Sequence, residues 1–314
     1  MPETISSPTL KRLDQVLPEL EGLTLVAGDI VEGYLAGAHR SPFLGFSHEF
    51  ADHREYVPGD DLRYLDYRAF ARTDRYYLKR FRDETNRIVY LILDVSRSMD
   101  YRSRAALFSK GDYARLALAA LGFVATRCRD SLALAAVDDR VRTVIEPASG
   151  MAHWRELVHR ADHAGRPPSP SGMKPSGKGD LADGLHALAE AFRRRGLVIL
   201  AGDLFDAPER LHAALRHLRH RRHEVLLLHV LDAAELDFPF DDSAVFEDLE
   251  TGKTLSAESA EIARAYRETM DQELQQWRAM CSRQKIGYLQ LRTDQPLGPI
   301  LARYLHAGMP GRSR

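Results

Sequence analysis

Short apolar runs recur along this chain, separated by segments with helical spacing. Val89 to Leu93 (VYLIL), Ala133 to Val137, Leu197 to Ala201 (LVILA), Val225 to Leu231 (VLLLHVL) and Ile286 to Leu291 each read as strands. The first, third and fourth are almost continuously apolar, as strands covered on both faces of a parallel sheet are. Between the runs lie Ala105 to Arg127, with Leu116, Ala120, Phe123 and Val124 on one stripe, then Ala152 to Arg160, Leu181 to Arg195 and Pro208 to Arg221. Their apolar positions follow the helical repeat. The alternation predicts an α/β fold: a doubly wound, mostly parallel sheet with flanking helices. Arg140 to Ile145 (RVRTVI) follows Asp138 and Asp139 too closely for a crossover helix, so it reads as an antiparallel edge hairpin.

The rest of the chain departs from that rhythm. Gly165 to Gly179 (GRPPSPSGMKPSGKG) reads as an exposed Pro/Gly/Ser loop. Val245 to Ser256 reads as two short strands turning at Thr251 and Gly252, and Ala257 to Arg283 as one long helix rich in Glu, Arg and Gln. Together these form an expected insertion at about 235–283 before the last strand. Residues 1–85 are expected to be an N-terminal segment packed on a main domain of residues 86–307. Within it, Leu10 to Leu20 suits a short helix, and Phe43 to Tyr77, dense in aromatics, Arg and Asp, reads as irregular. The tail 308–314 is expected to be disordered.

Composition narrows the function. Charged residues make up 28% and hydrophobic ones 44%, an ordinary globular balance, and the formal net charge of -1 gives no long-range field toward nucleic acid or an anionic membrane. The basic stretches, Arg193 to Arg195 and Arg216 to His223, read as solvated helix ends that complement the helix dipole. Cys128 and Cys281 stand alone and far apart, which points to a reducing compartment and away from a thiolate zinc site. The N-terminus carries no basic patch followed by an apolar run, and nothing approaches the roughly 20 apolar residues of a span, so the expected location is cytoplasmic. His48 to His53 (HEFADH) is one residue too long for the zinc motif H-E-x-x-H: on a helix, five-residue spacing turns the second imidazole about 140° from the first, against about 40° for four.

Two carboxylates stand where an open α/β sheet binds its ligands, beyond the carboxyl ends of the strands near a topological switch point. Asp94 follows VYLIL and opens the string DVSRSM; Asp203 follows LVILAG in GDLFD. With both strands central and parallel, the two acids meet at one rim beside the hydroxyls of Ser96 and Ser98. Hard oxygen donors in a loop suit Mg²⁺ or Mn²⁺ better than softer ions. Local hydrogen bonding to loop backbone is the competing role for the two serines.

DVSRSM between an apolar strand and a long helix resembles the Asp-x-Ser-x-Ser motif of von Willebrand factor type A (vWA) domains, and GDLFD resembles the acid that ends their fourth strand. The resemblance implies a vWA/Rossmann-like fold and a metal-ion adhesion site. In it Asp94, Ser96, Ser98 and Asp203 would surround a divalent ion whose open position takes a carboxylate from a partner protein. Further upstream, SHEFADHREYVPGDDLRYLDYRAFARTDRYYLKRF is similar to the signature of the bacterial family called domain of unknown function 58. Its members resemble companions of MoxR-type AAA+ ATPases, which implies an adaptor or co-chaperone whose partner is such an ATPase or its client. The chain departs from the vWA pattern at Gly177 to Leu181 (GKGDL), where Gly179 replaces the Thr ligand. Asp180 or an extra water is the candidate replacement, although capping of the following helix is the role that suits Asp180 better. In the upstream signature Asp60, Asp61, Arg63, Asp66 and Arg68 suit either an internal ion-pair network or an interaction surface.

Three functions follow: a non-enzymatic interaction module; a metal-dependent hydrolase or phosphotransferase using Asp94; and a structural assembly subunit without metal. Against the enzyme, aspartyl phosphatases usually carry a second Asp two residues on, where this chain has Ser96, and no Gly-rich phosphate loop or G-x-S-x-G elbow is present.

Overall fold

The computed structural model describes residues 48–55, 76–83, 87–106, 108–164, 180–205, 208–240, 243–247 and 254–307. The expected helix at 10–20, the loop 165–179 with Gly179, the acid–arginine cluster from Asp60 to Arg68 and the tail 308–314 lie outside these residues. The described chain divides into two compact units, one holding residues 48–55 and 76–83, the other everything from residue 87 onward.

In the first unit β1 (His48–Glu55) pairs antiparallel with β2 (Tyr77–Asp83), with an irregularity between Phe50 and Asp52. Irregular chain was expected over 43–77, and residues 48–55 are a strand instead. HEFADHRE has no apolar run or clean alternation, so its extended conformation comes from pairing with a segment more than 20 residues away rather than from its own pattern.

The second unit is built on six strands: β3 (Ile88–Asp94), β4 (Ser131–Val137), β5 (Val141–Ala148), β6 (Leu197–Gly202), β7 (Glu224–Leu231) and, late in the chain, β10 (Gly287–Arg292). Their spatial order is β10-β7-β6-β3-β4-β5, parallel except for β5, which runs antiparallel along β4 at the edge. This is the doubly wound, mostly parallel α/β sheet read from the sequence. The chain leaves β3 for β4 on one side and later returns to β6 on the other, so the switch point falls between β3 and β6.

Helices cover both faces. On one lie α1 (Lys110–Arg127), α2 (Met151–His163) and α7 (Leu297–Ala307), packed on Val89, Leu91, Leu93, Ile199 and Leu228. On the other lie α3 (Leu181–Ala191), α4 (Pro208–His220) and the far end of α6 (Ser259–Gln284), packed on Tyr90, Ile92, Val198, Leu200 and Leu227. Between β7 and α6 come the short helix α5 (Ala233–Asp237) and the hairpin β8 (Ser243–Glu247) with β9 (Thr254–Glu258).

Two details differ from the sequence reading, and a third extends it. α1 begins at Lys110, not at 105, because Ser109 caps it by accepting the Asp112 N–H. The expected hairpin and long helix before the last strand are present, and the helix also reaches the core: Trp277, Met280 and Cys281 of α6 close one face of the sheet, and Met270 and Leu274 pack on Leu231. Charged residues dominate the solvent side of α6 and hide this spacing. The last helix, α7, was not anticipated, although Leu297, Ile300, Leu301 and Tyr304 are buried at i, i+3, i+4 and i+7.

Candidate functional site

Parallel pairing of β3 with β6, with Leu93 opposite Ala201, carries both chains to one rim at the switch point. Asp94 ends β3, Asp203 follows β6, and both are buried, 2% and 3% exposed. Gly202 lets them approach: a Cβ there would lie 2.6 Å from Asp94 Oδ2 and 2.8 Å from its Cβ. Past β3 the chain is held by the Val95 N–H donating to Val137 O, then turns through a 3-10 segment, Arg97–Asp100. Asp94 Oδ1 accepts the Ser96 N–H at 2.9 Å, and the Ser96 and Ser98 hydroxyls lie 3.0 Å apart. The four residues expected at the rim are therefore gathered there, with backbone and hydroxyl bonds ordering the Ser-x-Ser turn.

Asp180 is placed otherwise. It caps α3, its Oδ1 accepting the Asp183 N–H at 3.2 Å, while its Oδ2 takes a hydrogen bond of 2.6 Å from Arg210. Both oxygens serve the α3–α4 pair, the capping role set against ligation when the sequence was read.

The residue that sequence reasoning missed is Lys110. It is the first residue of α1, and its side chain is 1% exposed. The ammonium donates to Asp203 Oδ2 at 2.9 Å and to Glu235 Oε1 at 2.5 Å. It also lies 5.2 Å from the Phe205 ring centre and 5.9 Å from that of Tyr101, within cation–π range. Burial pulls the Lys110 ammonium down, but the two carboxylates outweigh it and leave its pKa raised, so the cation is retained. Burial pushes the Glu235 carboxyl up, and Lys110 pulls it part of the way back. The sequence carried no distinguishing signal for it, since the same helix also bears Asp112, Arg115 and Arg127.

Two further groups hold this arrangement. Asp232, fully buried, caps α5 by accepting the Ala234 N–H, while Glu235 reaches back to the Asp232 N–H, a capping box that fixes the carboxylate on Lys110. The second oxygen of Asp232 accepts from the Ser103 N–H and the Thr293 hydroxyl, tying the loop before α1 to the end of β10. His229, buried within β7, has Nε2 2.7 Å from Asp203 O and Nδ1 2.8 Å from the Tyr288 hydroxyl. Burial depresses the imidazole pKa to about 4, which keeps the ring neutral, and in that form Nε2 donates to the carbonyl and Nδ1 accepts from the hydroxyl. Phe205 stands exposed at the rim beyond Leu204, whose φ of 58° is left-handed.

The donors at the rim fit direct coordination of a divalent ion poorly. Asp203 already bonds a buried ammonium, Asp94 is bonded to the Ser96 amide, and the two hydroxyls contact each other. Among the described residues no group of three or more His, Cys, Asp and Glu side chains is arranged to hold a metal ion. His229 engages both ring nitrogens beneath the rim.

Fold and site define a doubly wound α/β protein with an acid–hydroxyl rim at its switch point, braced from within by a buried lysine. Residues 52–279, well over half of the chain, match the family described as protein of unknown function DUF58, and the chain belongs to that family. An uncharacterized protein of Mycobacterium tuberculosis is 29% identical over 255 residues, 80% of this chain and 77% of the relative. An uncharacterized protein of Mycobacterium avium is 34% identical over 108 residues, 34% of this chain and 60% of the relative. Among solved structures, the conserved hypothetical protein BatB of Bacteroides thetaiotaomicron aligns with a TM-score of 0.41 at 15% identity, over 69% of this chain and 94% of that one. An aerotolerance-related membrane protein of Bacteroides fragilis aligns with a TM-score of 0.41 at 14% identity, over 70% and 96%. Among the described residues of the present chain, no helix is long and apolar enough to cross a membrane.

Proposed function

We propose that this chain is a non-enzymatic protein-interaction module, an adaptor or co-chaperone that acts in the cytoplasm with a MoxR-type AAA+ ATPase or its client. Its binding surface is the rim formed by Ser96, Ser98 and the turn between them, with Asp94 and Asp203 beneath. The observation that carries this reading is the rim itself: acids and hydroxyls at a switch point, where α/β sheets take their ligands, ordered by internal bonds and flanked by the exposed ring of Phe205. The vWA-like string DVSRSM and the upstream signature supply the kind of partner. Hydrolase or phosphotransferase chemistry finds less support, because Asp94 is bonded to the Ser96 amide and Ser96 stands where an acid–base carboxylate is needed.

The experiment is co-purification of the chain with the MoxR-type ATPase of the same cell, using wild type and Asp94→Ala. Retention of the ATPase by wild type and its loss with the variant supports the reading. Equal retention, or hydrolysis of generic phosphate esters that disappears in Asp94→Asn, contradicts it.

A further inference from the structure

Lys110 stands where a cation is least welcome. The amino end of a helix carries positive partial charge, and an ammonium withdrawn from water loses its hydration, so α1 gains nothing from a buried lysine as its first residue. What it gains lies outside the helix: the Asp203 and Glu235 carboxylates within hydrogen-bond distance and the Phe205 and Tyr101 rings on its flanks. Two acids and two aromatic faces form an enclosure for a cation. The enclosure is anchored by the capping box at Asp232, so Glu235 is held in place rather than borrowed from solvent.

We infer that the Lys110 ammonium is the resident cation of the rim, taking the charge-balancing place beside Asp203 that a divalent ion takes in a metal-ion adhesion site, so that the rim holds its shape without a metal. Asp203 accepts from Lys110 on Oδ2 and from the Phe205 N–H, at 3.4 Å, on Oδ1. A divalent ion at that carboxylate would face the ammonium across a single residue, in a medium that screens like charges poorly. The lysine travels with the chain, so the rim is independent of ion supply. The consequence for partner binding rests on the rim being the binding surface, as proposed above; the lysine's own role does not.

The test is thermal unfolding of the isolated chain, first in EDTA and then in ~10 mM Mg²⁺ or Mn²⁺, since an ion bound only by the native state raises the melting temperature. Wild type is expected to melt at the same temperature in all three conditions. Lys110→Met, which keeps the bulk and removes the charge, is expected to melt lower in EDTA and to recover several degrees with either ion. A rise in wild type, or no recovery in Lys110→Met, overturns the inference. Should Lys110→Met fail to fold, the triple variant Lys110→Met, Asp203→Asn, Glu235→Gln decides: folding restored by neutralising both acids supports a charge-balancing lysine, and a triple variant as unstable as the single one overturns it. No partner enters these measurements, so loss of ATPase binding speaks only to the proposed function.

Discussion

The Lys110 ammonium and the Asp203 carboxylate meet at 2.9 Å with side chains 1% and 5% exposed, joining the first turn of α1 to the end of β6 inside the protein. Removing the lysine leaves the Asp203 and Glu235 carboxylates without their shared cation, and a buried charge left unpaired costs roughly 3–5 kcal/mol, whereas neutralising Asp203 as well leaves only Glu235 uncompensated. Lys110→Met is therefore expected to cost more stability than the double variant Lys110→Met, Asp203→Asn. Urea unfolding of the two single variants and the double one checks this, and additive costs would show the pair to be uncoupled.

Gly202 is fixed by its neighbour across the strand pair. An added methyl would lie 2.6 Å from the Asp94 carboxylate, which is bonded on its other side to the Ser96 amide and has little room to yield. Gly202→Ala is expected to cost about 1–3 kcal/mol, as overpacking does, and to weaken partner binding by displacing Asp94. Denaturation and binding on the same preparation separate the two effects.

The strand pattern carried most of this architecture into view. VYLIL and LVILA are apolar on both faces and became central neighbours, and that alone set Asp94 and Asp203 on one rim. The pattern could not reveal β1, whose partner is remote in sequence, nor the core face of α6, where Met270, Leu274 and Trp277 are diluted among Glu, Gln and Arg. Lys110 was invisible for a different reason. A lysine inside a helix is ordinarily solvated, and only the fold brings Asp203 and Glu235, 93 and 125 residues away, to its ammonium. Asp180 was legible in both its roles, and the structure shows it capping α3 and holding Arg210.

Removing that cap gives a local effect. Asp180→Ala is expected to destabilise by about 1 kcal/mol, chiefly through the lost bond to the Asp183 amide. Arg210 is half exposed, and its pairing with Asp180 adds little. Partner binding and the response to Mg²⁺ should stay as in wild type; a changed ion response would return Asp180 to the rim.

His229 ties stability to pH. Its pKa falls from 6.5 to about 4 on folding, through burial. Between those values the unfolded chain binds the proton and the folded one does not, so the contribution is present above pH 6.5 and is lost as pH falls toward 4. The full loss is about 3 kcal/mol, with about 2 kcal/mol gone by ~pH 5. Asp130, raised by burial to about 6, works in the opposite direction over part of this range, so wild type must be compared with His229→Gln. The stability difference between the two is expected to shrink on acidification, and a difference independent of pH would contradict the assignment.

The most direct measurement is the dissociation constant of the full chain for the proposed partner, a purified MoxR-type ATPase, with wild type and with Ser98→Arg, which places a bulky cation on the rim turn while leaving the Lys110 network in place. At matched melting temperatures the account predicts affinity at least ~10-fold weaker for the variant, a loss of about 1.4 kcal/mol. Equal affinity would mean that the partner binds elsewhere on the protein.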